Sequence, residues 1–450
     1  MTASENLIES STPMRIGMKP ENKAHLPASN ILMAAQRFIA DAEALQEILV
    51  VAKPVLIAKQ DERKAELDEL MSQTQKASDA GIRPDLLELN RAAGLFSKQR
   101  RGGFLFRGHL LVALVSRFDT FASEVARELL RAFPDRLGEK SVSFSDASKF
   151  GSIEELKKKI IDEKIDAEMR DSHIKQLKFL SSLANVPLGT DEPQLLSKFV
   201  EITERRNCHI HANGRVSPQY REVCEQNHVC FEKTPCDGDN LNVTVDYFEK
   251  ACRVLGEMAF KIAQTIVRKT FDKSMGLADI FLDAIGIELL NTHRWTDALM
   301  VYDFATALRG TSAGDECFKK NSIINKAQAL IGLGKYDEAM KKIELTDWSA
   351  SHPRYVMAIH ILKYEFSDAA KLIPVAEIKE DMYRKWPIFH AFRETEEFRD
   401  AFSSHFGHDF NAASFGAVSK EIAEMEIDDP ALTPCRNVDS EDEHGDPQKD

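Results

Sequence analysis

The chain lacks a long uninterrupted apolar run. Its longest, "ILVVAKPVLIA" (residues 48–58), is broken by Lys53 and Pro54 and is too short to span a bilayer. The N-terminal "MTASENLIESSTPMRIGMKP" has no apolar core of the signal-peptide kind, so no membrane partner is expected. Positive charge is also in deficit: 59 Lys and Arg stand against 72 Asp and Glu, a net charge of −13. That excludes a broad electrostatic grip on nucleic acid and leaves only a local patch for the purpose. No Cys-x-x-Cys pair, Walker loop, Ser-His-Asp ordering or His-Glu-x-x-His segment occurs. The familiar signals for structural zinc, nucleotide phosphates, acyl transfer and zinc proteolysis are therefore missing. The seven cysteines (Cys208, Cys224, Cys230, Cys236, Cys252, Cys317 and Cys435) are scattered and odd in number. They point to a reduced, cytoplasmic setting, to small apolar side chains and to no metal and no cofactor.

What is present is helical. At 450 residues the chain exceeds what one core holds, so two or three domains are expected. Residues 1–27, with Pro13, Pro20 and Pro27, read as a loose leader. Residues 28–99 read as an N-terminal helical segment, because Ile31, Ala34, Phe38, Ala42, Leu45 and Leu49 recur at three- and four-residue steps. A second, charged helix ends at Gly81, and a third follows with Pro84 in its first turn. "KQRRGG" (98–103) reads as a break before a long apolar helix over 104–133, which Pro134 stops. Ser152 is the expected N-cap of the next helix. Residues 215–244 carry few helix signals and two candidate short strands, and a last amphipathic helix of this block begins near Val245. Nothing demands a sheet, so the fold class expected is all-α.

Beyond 277 the pattern changes. Gly286, Leu289, Trp295, Ala298, Tyr302 and Ala305 fall at one set of spacings, and Ala327, Leu330, Gly334, Tyr336, Ala339 and Ile343 at nearly the same set. Small residues where helices cross, with aromatics beside them, mark helix pairs that must stack to bury their faces. "GLGKYDEAMKKI" resembles a tetratricopeptide repeat, and residues 277–410 are expected to form an irregular array of that kind, a candidate surface for a protein partner. Residues 426–450 are acidic and proline-bearing and read as a disordered tail.

The segment "VEITERRNCHIHANGRVSPQY" (200–220) carries the densest chemistry. Phe199, Val200 and Ile202 supply an apolar stripe, and "HANG" supplies a stop, since Asn213 and Gly214 both tolerate the left-handed conformation that closes a helix. His211 then falls in the last turn, where free carbonyls favour a cationic ring. Asn207 lies four residues before it, on the same face, placed to orient the imidazole. Arg206 lies five before it, about 140° round an ideal helix. It meets His211 through its long side chain, a loosened last turn, or a two-fold partner. Nearby, "KQRRGGFLFRGH" sets Arg101 and Arg107 among phenylalanines: either a combination that grips a backbone and stacks a base, or a solvated loop before a core helix that buries the phenylalanines.

"ERRNCHIHANGRVSPQY" resembles the signature of HEPN domains, in which Arg and a polar residue precede a His by a short spacing. Here these are Arg206, Asn207 and His211, and the resemblance covers roughly residues 100–272. It implies a helical bundle that forms a homodimer and acts on RNA as a metal-independent endoribonuclease, in stress or anti-phage defence. Two His211 rings would share the base and acid roles, Arg206 would hold phosphate oxygens and Asn207 would position the ring or the phosphate. Asp119 and Glu124, on the upstream helix, are candidates to approach the site. Arg205 is an alternative functional arginine, and His209 an alternative histidine; with Arg101 and Arg107 they are the candidate substrate-binding residues. The alternative function is a non-catalytic scaffold: a dimerising RNA-binding module with partner-binding repeats.

Overall fold

The computed structural model describes residues 25–410 apart from 84–85, 140, 190–191 and 310–314. The described residues are all-α, with a lone antiparallel bridge between Arg215 and Asn240. None of their helices is long and apolar enough to cross a membrane. They divide into two compact units, one spanning Ala24–Ser274 and one running on from Met275. The acidic tail at 426–450 and most of the leader lie outside the described residues. Leu26 and Pro27, placed in the leader by the sequence, already belong to the first helix.

The first unit is built on a hairpin of two long helices, α1 (Leu26–Asp79) and α2 (Leu86–Ala132). The sequence suggested separate helices on either side of "KP" and a break at "KQRRGG"; both are corrected. Helix α1 runs through Pro54, whose ring costs one backbone hydrogen bond, and α2 runs through Gly102 and Gly103. A single helix survives these weak points because Leu49, Ala92 and Leu110 are buried along a hairpin in which α1 and α2 pack closely, and packing outweighs a propensity cost of about 1 kcal/mol per glycine. Residues 28–99 and 100–274 consequently share one unit.

Helices α3 (Phe144–Ala147), α4 (Ile153–Glu168), α5 (His173–Ala184) and α6 (Pro193–His211) follow. The Ser152 hydroxyl accepts from the Glu155 amide at 3.2 Å, the cap expected for α4. Helices α5 and α6 pack on α2, where Phe118 sits 5.1 Å from Phe199 and 5.5 Å from Phe38. The two candidate strands are a second correction. Their segment holds α7 (Pro218–Gln226), capped by Ser217, and a loop tied to the end of α6 by Leu241 N–H to Gly214 O at 2.8 Å. Helix α8 (Val245–Thr270) closes the unit against α1, α2 and α6.

The second unit pairs α9 (Met275–Asn291) with α10 (Trp295–Ala307), α11 (Glu316–Gly332) with α12 (Tyr336–Glu344), and α13 (Pro353–Leu362) with α14 (Phe366–Lys371). Ala298, Ala327, Ala339, Ala358 and Ala369 are all fully buried, the small residues that close helix approach needs. A Cβ at Gly332 would collide with the Trp295 indole.

Candidate functional site

Helix α6 ends at His211. The Gly214 amide donates to Cys208 O at 2.9 Å, and Asn213 and Gly214 hold φ of 56° and 72°. A Cβ at Gly214 would also come within 2.6 Å of Phe104 Cζ, so the turn needs glycine for both conformation and space. "HANG" thus stops the helix for the reason its residues suggested.

The two adjacent arginines of α6 go to different places. Arg205 belongs to a buried hub around Glu201. The Glu201 carboxylate accepts from Arg205 Nε at 2.7 Å, from the Tyr220 hydroxyl at 2.7 Å and from the Tyr247 hydroxyl at 2.6 Å. Arg205 Nη1 donates to Asn242 O at 2.9 Å. Burial opposes charge on Arg205, yet the surrounding Tyr247 and Glu201 hold it above an ordinary guanidinium. Burial, reinforced by Glu201, pushes both tyrosine hydroxyls up. Arg205 therefore joins α6 to α7, α8 and the intervening loop, with its side chain taken up by the fold.

Arg206 faces α2. Its Nη2 donates to Asp119 Oδ2 at 3.3 Å and its Nη1 to Asn207 Oδ1 at 3.1 Å, while Asn207 Nδ2 donates to Glu204 Oε1 at 3.3 Å. The other Asp119 oxygen lies 3.0 Å from His173 Nε2, contributed by α5. His173 is buried, and its Nδ1 is enclosed without a hydrogen-bond partner among the described residues. Burial pushes the Glu204 carboxyl up, partly offset by the bond from Asn207. The result is a half-enclosed polar cluster in which an arginine, a histidine and two carboxyls meet at the junction of α2, α5 and α6.

His211 is exposed at the helix end, and its side chain makes no hydrogen bond among the described residues. The expected link from Asn207 to its ring is corrected: the Asn207 amide engages Glu204 and Arg206, both nearer to it on the helix. His209 is no free ligand group either. Its Nε2 lies 2.9 Å from Leu241 O, and its ring packs 5.4 Å from Phe104 over Gly108, where a Cβ would come within 2.5 Å of Nδ1. Burial lowers its affinity for a proton. Arg107 is spent on Val243 O at 2.6 Å, whereas Arg101 is exposed and reaches Asn213 Oδ1 at 2.6 Å, beside His211. Glu124 lies away from this cluster, paired with Arg37 at 2.5 Å.

The structure thus brings Arg206, Asn207 and Asp119 together, and leaves His211 exposed at the end of α6, where Arg101 reaches the nearby Asn213. Reasoning from sequence missed His173 and the two tyrosines, Tyr220 and Tyr247, that complete the hub around Glu201. Glu201 and Glu204 had a signal, since each lies one turn before its partner on α6; His173 had none. Among the described residues no group of three or more His, Cys, Asp or Glu side chains converges as metal ligands. No family model, curated protein or solved structure matches this chain.

Proposed function

We propose that the chain is a metal-independent endoribonuclease of the HEPN type, acting as a homodimer with Arg206 and His211 of both copies around one RNA phosphate. The observation that carries the reading is the Arg206–Asp119 pair, anchored behind by His173 and flanked by Asn207, with the exposed His211 at the end of the same helix. A guanidinium already directed by a carboxylate is pre-oriented to fork onto phosphate oxygens. Asp119 balances its charge until a phosphate competes for it. One His211 takes the 2′-hydroxyl proton, the other protonates the leaving 5′-oxygen, and Arg206 stabilises the crowded phosphorane. Arg101, which reaches Asn213 two residues past His211, holds a neighbouring phosphate. The helix pairs of the second unit serve as a tetratricopeptide-like array that recruits a protein partner.

A second reading is favoured by one specific feature: the charge of Arg206 is already matched inside the chain by Asp119. In that reading the cluster is architectural, and the chain is a binding scaffold. Incubation of purified wild type and His211→Ala with mixed cellular RNA in EDTA separates the two. Cuts made only by wild type, ending in 2′,3′-cyclic phosphates, support the nuclease. Intact RNA with both proteins moves the conclusion to the scaffold.

A further inference from the structure

Helix α1 is apolar on more sides than it buries. One seam, with Leu49, Ala52, Leu56, Leu67 and Leu70, is buried or half-buried in the hairpin with α2. A second stripe, Ala44, Ile48, Val51, Val55 and Ala58, advances in steps of four, three, four and three and lies about 120° round the helix. All five residues are exposed, with Val51 at 73% and Val55 at 69%. A stripe repeating every 3.5 residues is the pattern by which one helix seats along another, and an apolar stripe left in water marks an interaction surface.

We infer that the occupant of this stripe is a second copy of the same chain, its α1 lying antiparallel to the first. The stripe is complementary to itself under that operation. A two-fold axis near Val51 sets Val51 beside its own copy, Ile48 against the partner's Val55, and Ala44 against the partner's Ala58, with the larger side chains central and the small ones at both ends. The flanking charges agree. Asp41 and Lys59 are eighteen residues apart, five whole turns, so they project from the same side of the helix. In an antiparallel two-fold pair, positions on the same flank meet, which brings Asp41 to the partner's Lys59 twice over. Within one chain these residues hold only exposed pairs, Asp41 with Arg117 at 3.5 Å and Lys59 with Glu62 at 2.8 Å. The stripe is small against the roughly 800 Å² per partner of a standard interface, so the dimer dissociates on dilution. This contact is separate from the pairing of Arg206 and His211 in the proposed function, and it stands whether or not the chain cuts RNA.

The test is sedimentation velocity of the full chain across a concentration series, with thermal melting to verify folding. Wild type should pass from monomer to dimer, and Val51→Glu with Val55→Glu should weaken that association by roughly tenfold or more while melting as wild type does. Val50→Glu with Ile57→Glu, on the opposite flank, should leave it unchanged. A Val51→Cys chain should form a disulfide-linked dimer under mild oxidation beyond the background of wild type. A wild type that stays monomeric throughout, a dimer indifferent to V51E/V55E, or V51C no more cross-linked than wild type overturns the inference.

Discussion

Arg205 lies over the ring of Tyr247, its guanidinium carbon 4.0 Å from the ring centroid, with Glu201 gripping its Nε from one turn back. That contact separates two neighbouring arginines that look equivalent in the sequence. Arg205 is committed to holding helices α6, α7 and α8 together, and Arg206 is the one directed at α2.

Glu201→Gln leaves a buried arginine without its counter-charge and two tyrosine hydroxyls with a weaker acceptor. Stability should fall by about 3 kcal/mol, the scale for breaking one side of a buried pair. Tyr247→Phe removes one hydrogen bond and should cost about 1 kcal/mol. Urea unfolding of the two variants measures both, and a ranking in the opposite order would show that the hub is not centred on Glu201.

On the proposed function, His211→Ala should lower cleavage by roughly 10²-fold or more without lowering the melting temperature, because the side chain is exposed at the end of α6. Arg206→Ala should abolish cleavage and also destabilise, since it strands Asp119 beside His173. Paired activity and melting measurements distinguish the two patterns.

Gly214→Ala should destabilise at the turn that ends α6. The methyl must enter a left-handed backbone conformation and the space held by Phe104 and His209. A cost of about 1–3 kcal/mol is expected, with faster hydrogen exchange in the last turn of α6. A neutral result would mean that the turn adjusts without its glycine.

Asp283, on α9, should make the second unit pH-sensitive. Burial, then Asp279 and Asp315, push its carboxyl up to about 7 from an ordinary carboxylate value. The folded chain keeps a proton that the unfolded chain releases, so stability falls as pH rises from about 4 towards 7 and levels off above that. Asp283→Asn removes the penalty. It should raise stability at pH 8 by a few kcal/mol at most, roughly 1.4 kcal/mol for each pH unit of displacement, and change little near pH 4. Thermal melts of both proteins across that range test it; a variant no more stable at pH 8 than wild type counts against the assignment.

Several local decisions were legible in the chain. Three- and four-residue apolar steps made it all-α, Ser152 announced its helix, and "HANG" closed α6 through two residues that accept positive φ. Other local signals were overruled. Pro54 and the Gly102-Gly103 pair look like breaks, and each is spanned because a long hairpin buries residues on either side. Residues 215–244 look strand-like, yet Ser217 and Pro218 start a helix there.

The sequence by itself determined the helical class, the end of the motif helix and the presence of Arg206, Asn207 and His211 on its last turns, because these depend on periodicity and on the φ preferences of a few residues. Only the tertiary structure decided which arginine is spent on the fold, that Asn207 turns to Glu204, and that Asp119 and His173 stand behind Arg206. Those outcomes depend on side chains brought together from 87 and 54 residues away along the chain, and no local pattern encodes such distances.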